Sequence, residues 1–342
     1  MSDRPIGVLL VQLGTPASTR VKDVRRYLRE FLSDPRVIDI AAPARWLLVN
    51  AIIAPFRAPR SAAAYRAIWT TEGSPLLVHS RALAEALSEA LGPDFRVELA
   101  MRYGAPAIAP AVERLVAADT QRIVVQPLFP HDAAASLGSA SQAVLAAVSA
   151  HGNVPEVLAL GAFHDDPGFI AAVAARARPA LEQLNPEHVL MSYHGLPERQ
   201  VRRSDPSGSH CLAGGDCCAT LGVGNRHCYR AQCYATSRAL CTALRLTPER
   251  TTTCFQSRLG RTPWIGPHTD RILPALAKAG VRRLAVLCPS FVADCLETLE
   301  EIGLRARQQW ATLGGEAFTL VPCVNASPDF VAALAARVRA GA

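Results

Sequence analysis

An α/β fold of two similar halves, each a parallel sheet flanked by helices, is what this sequence predicts. Two observations carry that prediction. Apolar strand-like runs alternate with alanine- and leucine-rich helical stretches along the chain, the pattern of βαβ units. Short motifs also recur in the same order. Leu13-Gly14-Thr15-Pro16 is echoed by His194-Gly195-Leu196-Pro197, Arg102-Tyr103-Gly104 by Arg258-Leu259-Gly260, and Pro127-Leu128-Phe129 by Pro289-Ser290-Phe291. Each motif closes a strand-like run, so two Rossmann-like halves are expected to face a central cleft lined by matched strand ends. A chain of 342 residues suits two such domains.

Taken in order, strands are expected at 6–13, 96–101, 122–128, 156–160, 187–193, 251–256, 284–288 and 317–322. Helices are expected between them, for example at 79–91, 107–117, 168–183 and 271–280. The first half is placed at 1–160 and the second at 161–320, with 321–342 as a C-terminal helix packing back on the first half. The stretch from Gly14 to Gly104 is longer than that from Gly195 to Gly260, so the first half carries extra residues. These include an apolar segment within 42–70, Trp46 to Phe56, flanked by Arg45, Arg57 and Arg60. It is too short to span a bilayer. It reads as a lip lying in a membrane interface or over an apolar pocket, or as an ordinary buried helix.

Composition narrows the function. The chain is 50% hydrophobic and 19% charged, the balance of a globular protein. Mean hydropathy of +0.15 is slightly high and hints at an exposed apolar surface. The N-terminus runs into a strand without a secretion signal, so a cytoplasmic location is expected, peripheral to the inner membrane if the lip binds lipid. A net charge of +7 invites an anionic partner. The basic residues are scattered and only 6% of residues are aromatic, which argues against nucleic acid and leaves an acidic small molecule or a membrane face.

The chemistry is read from two segments. Ser192-Tyr193-His194-Gly195-Leu196-Pro197 follows an apolar run and ends in Gly-x-Pro, which stops a strand. His194 therefore sits at the carboxyl end of a strand, where open α/β sheets place their ligands. The second segment, Ser290 to Glu301, reads as a loop entering a helix. Asp294, Glu297 and Glu301, spaced i, i+3, i+7, then share one α-helical face. Glu300 reads as part of a solvated face. A histidine facing a ladder of carboxylates suits moving a divalent metal, protons, or both.

Together these segments resemble the ferrochelatase family, which inserts ferrous iron into a porphyrin. The resemblance covers Val11 to Pro16, Leu28 to Asp34, Gly73-Ser74-Pro75-Leu76, Ser192 to Pro197, Phe255-Gln256-Ser257-Arg258 with Pro263-Trp264, and Phe291 to Glu301. It implies the two-domain chelatase fold, protoporphyrin IX and Fe2+ as substrates, and formation of protohaem at the end of haem biosynthesis. His194 is implied to face the ring and Glu297 to stand opposite it, with Glu301 and Asp294 continuing an acidic path for metal and protons. Neutral imidazole can take a proton or ligate a metal near neutral pH. Carboxylates can hand on Fe2+ without trapping it as thiolates would. Leu13 is implied to lie under the macrocycle, with Arg57, Tyr65 and Ser74 near the propionates. Phe255, Arg258 and Trp264 are implied to form the opposite wall. The resemblance leaves coproporphyrin open as the substrate, and monomer or homodimer open as the assembly.

Two departures stand out. Where the family has Pro-x-Tyr-Pro-Gln, an aromatic and Ser, this chain has Pro127-Leu128-Phe129-Pro130-His131-Asp132-Ala133. His131-Asp132 reads as a helix cap or as an extra metal-access point. The other departure is an insertion, about 202–233, with Cys211, Cys217, Cys218, Cys228 and Cys233 among five glycines. Close thiols on a Gly-rich loop suit a tetrahedral Zn, a [2Fe–2S] cluster, or no metal. Some ferrochelatases carry a [2Fe–2S] cluster, which favours four of these cysteines as its ligands. The other five cysteines read as buried small hydrophobes. Two other readings are a cobalt or nickel chelatase on the same fold, opposed by the match at Trp264 and Phe291–Glu301, and a non-catalytic sensor, opposed by the presence of His194 and Glu297.

Overall fold

The computed structural model describes residues 4–152, 155–260 and 262–342. The chain divides into two compact units. One comprises the chain up to Phe129, with Ala134–Ala162 and Val331–Ala342; the other comprises Pro130–Ala133 and Phe163–Phe330.

The first unit holds a parallel sheet of β1 (Ile6–Thr15), β2 (Phe95–Gly104), β3 (Arg122–Pro127) and β4 (Glu156–Ala159), in the order β2-β1-β3-β4. Val8, Leu9, Leu10 and Val11 of β1 are fully buried, as expected of a central parallel strand covered on both faces. The core on one face packs Leu9, Val11, Ile123 and Val125 against Ile108, Val112 and Leu115 of the helix Ile108–Ala117, and against Val144 and Val148 of Ser139–Val148. Where β1 and β2 draw together at Gly14 and Tyr103, Gly14 has φ +121° and a Cβ there would collide with the Tyr103 carbonyl. Only glycine suits both demands. The helix Pro75–Leu91 begins earlier than expected because Pro75 takes its first turn, where a missing N–H costs nothing. In the same unit Arg339 Nη2 donates to the Ala90 carbonyl at 2.6 Å, anchoring the end of the C-terminal helix Pro328–Ala340.

The segment expected as a lip is helical from Ala42 to Ile68, with a wide π turn at Leu48–Ile53. Trp46, Leu47, Ile52 and Phe56 are exposed, Trp46 by 66% and Phe56 by 75%. An ordinary buried helix is thereby ruled out. No helix among the described residues is long and apolar enough to cross a membrane.

The second unit repeats the plan. Its sheet runs β6-β5-β7-β8, all parallel, from β5 (His188–His194), β6 (Thr251–Gln256), β7 (Arg283–Leu287) and β8 (Ala317–Leu320). All eight strands lie where the apolar runs placed them, and the α/β class with parallel sheets holds. After β5 the chain first builds β6 on one side and then β7 on the other. The carboxyl ends of β5 and β7 thus form the switch point at which open α/β sheets bind ligands.

Candidate active site

His194 is the last residue of β5 and half-buried. Both of its backbone groups are held from outside the strand. Its N–H donates to Ser290 Oγ at 3.1 Å, and the Tyr229 hydroxyl donates to its carbonyl at 2.7 Å. Two hydroxyls from different elements thus hold the N–H and the carbonyl of this one residue. On the imidazole, Nδ1 lies 2.6 Å from the Gly195 carbonyl oxygen. A carbonyl only accepts, so Nδ1 carries the proton and Nε2 keeps its lone pair. Trp264 and Phe291 flank the ring, with centroids 6.5 and 6.3 Å away. Trp264 is fixed by its Nε1–H donating to the Leu259 carbonyl at 2.8 Å. The next residue must be small, since a Cβ at Gly195 would stand 2.8 Å from the Gln256 carbonyl oxygen and 3.3 Å from Trp264.

Gln256, the last residue of β6, ties this strand end to the acidic segment. Its Oε1 accepts from Ser192 Oγ at 2.7 Å and its Nε2 donates to the Glu297 carbonyl at 2.8 Å. The next residue, Ser257, donates to both oxygens of Glu301, from N at 2.8 Å and from Oγ at 2.5 Å. Glu297–Ala306 is a π-helix, not an α-helix. With more than four residues per turn, Glu297 and Glu301 stay neighbours on one face.

Asp294 departs from the expected ladder. It precedes the helix and is buried. Its Oδ1 accepts from Thr298 Oγ1 at 3.1 Å and from the Cys323 amide at 3.3 Å, and its Oδ2 accepts from Asn325 Nδ2 at 2.8 Å. A loop-bracing carboxylate takes the place of a third rung. The expected ring walls also need correcting. Phe255 is only 1% exposed and packs between Tyr193 and Tyr234, so it presents no face to a ligand. Arg258 pairs with Asp270 at 2.6 Å.

In the first unit, Leu13 is partly buried at the end of β1 and packs on the sheet's core, while Arg57 is exposed. Tyr65 and Ser74, expected near carboxylates, are both buried. Tyr65 stands edge-on to Trp69, and the Ser74 hydroxyl bonds Thr15 Oγ1 at 2.7 Å. Only Arg57 of that set offers an open polar group.

The cysteine segment is a braced loop. Asp205 accepts from the amides of Ser207, His210 and Cys211. Asn225 bonds Gly222 N and the carbonyls of Cys217 and Thr220. Within this frame the Cys217 and Cys218 sulfurs are 3.8 Å apart, and the Cys228 thiol stands beside both Cys218 and Cys211. The Arg230 guanidinium donates to Cys218 Sγ at 3.1 Å. The Cys218 thiol is raised by its bond to Cys228 and by burial, against the pull of Arg230. Cys233 stands apart, fully buried within the helix Tyr229–Leu244 and beside Tyr229. No group of three or more His, Cys, Asp or Glu side chains among the described residues is arranged to hold a metal ion.

His131 is buried and its Nε2 pairs with Thr236 Oγ1 at 2.9 Å; burial pushes its imidazole well below the usual range. Asp132 pairs with His227 at 3.0 Å. His131-Asp132 therefore braces the second unit and opens no metal path. Sequence reasoning missed Gln256, Ser257, Ser290 and Tyr229. The first three lie inside the motifs already singled out, and Tyr229 carried no local signal.

With this geometry in place, comparison with known proteins is direct. The family signature described as Ferrochelatase matches residues 5–342. The chain belongs to the ferrochelatase family. A ferrochelatase of Coxiella burnetii (strain CbuG_Q212) is 46% identical over 334 residues, covering 98% of this chain and 93% of that protein. One from Legionella pneumophila (strain Corby) is 45% identical over 328 residues, covering 96% and 97%. Among solved structures, the sirohydrochlorin chelatase SirB of Bacillus subtilis subspecies spizizenii with cobalt matches at TM-score 0.56 and 12% identity, covering 98% of this chain and 94% of that one. SirB from Bacillus subtilis with Fe3+ matches at TM-score 0.55 and 14% identity, with the same coverage. These two likenesses speak to the fold alone, and it is the chelatase fold.

Proposed function

We propose that this chain inserts Fe2+ into protoporphyrin IX to give protohaem. Membership of the ferrochelatase family supports the reaction class, and the state of His194 carries the mechanism. Metallation removes both pyrrole N–H protons while a hydrated dication sheds water. With Nδ1–H committed to the Gly195 carbonyl, Nε2 is left as a free base among the rings of Phe291 and Trp264. That is the arrangement for taking a pyrrole proton from a flat aromatic substrate. Glu297 and Glu301, neighbours on the π-helix, are the acceptors that pass metal in or protons out, and Ser257 holds Glu301 in place. Asp294 serves as a brace for the loop that carries Phe291. Arg57, exposed on the first unit, suits a carboxylate partner. Carboxylates arranged without a closed ligand cage suit a metal that must leave again.

For the thiol loop the reading is a [2Fe–2S] cluster. A two-iron cluster takes four thiolates, and Cys228 stands beside both Cys211 and Cys218 while the Cys217 and Cys218 sulfurs are 3.8 Å apart. Arg230 supplies positive charge beside them. Cys211, Cys217, Cys218 and Cys228 would hold the group, and Cys233 lies outside the set. When bound, such a cluster supplies a crosslink and a one-electron redox centre. The exposed Trp46, Leu47, Ile52 and Phe56, bordered by arginines, suit peripheral contact with an anionic membrane from the cytoplasmic side.

The test is anaerobic incubation with protoporphyrin IX and Fe2+, following collapse of the many-banded visible spectrum to that of the metallated ring. His194→Ala should leave less than about 1% of the rate while the protein stays folded. Wild-type turnover by that variant would overturn the assignment.

A further inference from the structure

The mechanism above uses the His194 ring and says nothing of what fixes its backbone. His194 ends β5, and its pairing with β7 has already stopped at Met191. Beyond that point, on the β7 side, its peptide groups depend on side chains. They find the hydroxyls of Ser290 and Tyr229, one on the N–H and one on the carbonyl. Ser290 comes from the loop that leads through Phe291 to Glu297. Tyr229 comes from elsewhere: it is the first residue of the helix Tyr229–Leu244, and Cys228, one of the associated thiols, is that helix's N-cap. The chain is extended at Cys228 and helical from Tyr229, so little slack separates thiol from phenol. The phenol is 6% exposed, with Cys233 and the His131 ring beside it, which confines its movement.

We propose that Tyr229 is a positioning residue for His194, and that through it the state of the thiol loop sets where the imidazole stands. The proposal rests on His194 being the working base. A shift of Cys228 moves the start of the helix and with it the hydroxyl on the His194 carbonyl. Ser290, on the segment that carries Phe291 and Glu297, holds the N–H of the same residue. The loop therefore acts on metallation without touching porphyrin or Fe2+. A buried hydrogen bond of this kind is worth about a factor of three to ten in an equilibrium, which bounds the effect on rate.

Tyr229→Phe removes the hydroxyl on the His194 carbonyl and keeps the aromatic ring; Ser290→Ala removes the hydroxyl on its N–H. Each should lower kcat about three- to tenfold with little change in the KM for porphyrin, because His194 is displaced rather than the binding surface. Each should also shift the His194 Cε1 signal in protein labelled at histidine, assigned from the His194→Ala spectrum. Cys228→Ser should shift that signal when Tyr229 is present and leave it unmoved in Tyr229→Phe. An unmoved His194 signal with unchanged kcat in both hydroxyl variants would overturn the positioning role. An equal response to Cys228→Ser with and without the hydroxyl would overturn the coupling. Failure of the wild-type protein to metallate porphyrin would instead sink the functional reading, and the spectral arms remain readable in that case.

Discussion

Replacing Gln256 by leucine tests how the site is held together. The side chain is buried, and its amide spans two elements, accepting from Ser192 on β5 and donating to the Glu297 carbonyl at the head of the π-helix. Leucine fills much of the same space but makes neither bond. Ser192 keeps a partner in Thr269 Oγ1 at 2.9 Å, so its loss is modest, about 1 kcal/mol. The Glu297 carbonyl loses the partner that reaches it from β6 but heads a helix whose backbone still donates to it, so this loss is also about 1 kcal/mol. Added apolar burial returns about 1 kcal/mol. The net destabilisation is then about 1 kcal/mol, a fall of roughly 2–4 °C in melting temperature for a unit of this size. Because the freed carbonyl belongs to Glu297, kcat should fall as well. Differential scanning calorimetry and the porphyrin assay read both. A melting temperature within about 1 °C of wild type, together with normal kcat, would show that Gln256 does not link β6 to the acidic segment.

Gly14→Ala should destabilise the first unit by at least about 2 kcal/mol, since the backbone is left-handed there and the methyl meets the Tyr103 carbonyl; denaturant unfolding measures it, and a neutral result would refute the close approach of β1 and β2. Asp34 accepts from Ser139, Tyr103, Arg102 and the Arg36 amide, and although burial alone would raise its carboxyl, these bonds hold it below the usual value. A depressed carboxyl stabilises above the unfolded-state pKa of about 3.9 and loses that contribution as pH falls through its folded value. The gap in melting temperature between wild type and Asp34→Asn should therefore be level from about pH 5 to 8 and shrink below about pH 4; a gap that widens in acid would contradict the assignment. Trp46→Ser with Phe56→Ser should reduce co-sedimentation with anionic vesicles severalfold, and unchanged binding would remove the lip from membrane contact.

The strands were legible because buried parallel strands read as continuous apolar runs, and His194 was legible because Gly195 and Pro197 mark a strand's end. The acidic segment was only half legible. Spacing of i, i+3, i+7 assumes 3.6 residues per turn, and nothing local announces that Glu297–Ala306 is wound more widely or that Asp294 stays outside it. Phe255 illustrates another limit. It lies in a motif next to Gln256, but alternation along β6 turns its ring into the core. The thiols showed their number and not their grouping, since Cys217 and Cys218 could share the set only once the loop was braced by Asp205 and Asn225. Tyr229 was invisible because its partner is 35 residues away in sequence.

The single vacant position on the His194 ring has a consequence for the order of events. With Nδ1 spoken for by the Gly195 carbonyl, the imidazole has one seat, and a proton and a dication cannot occupy it together. In the proposed reaction a pyrrole proton can be taken only while the incoming ion rests on other donors.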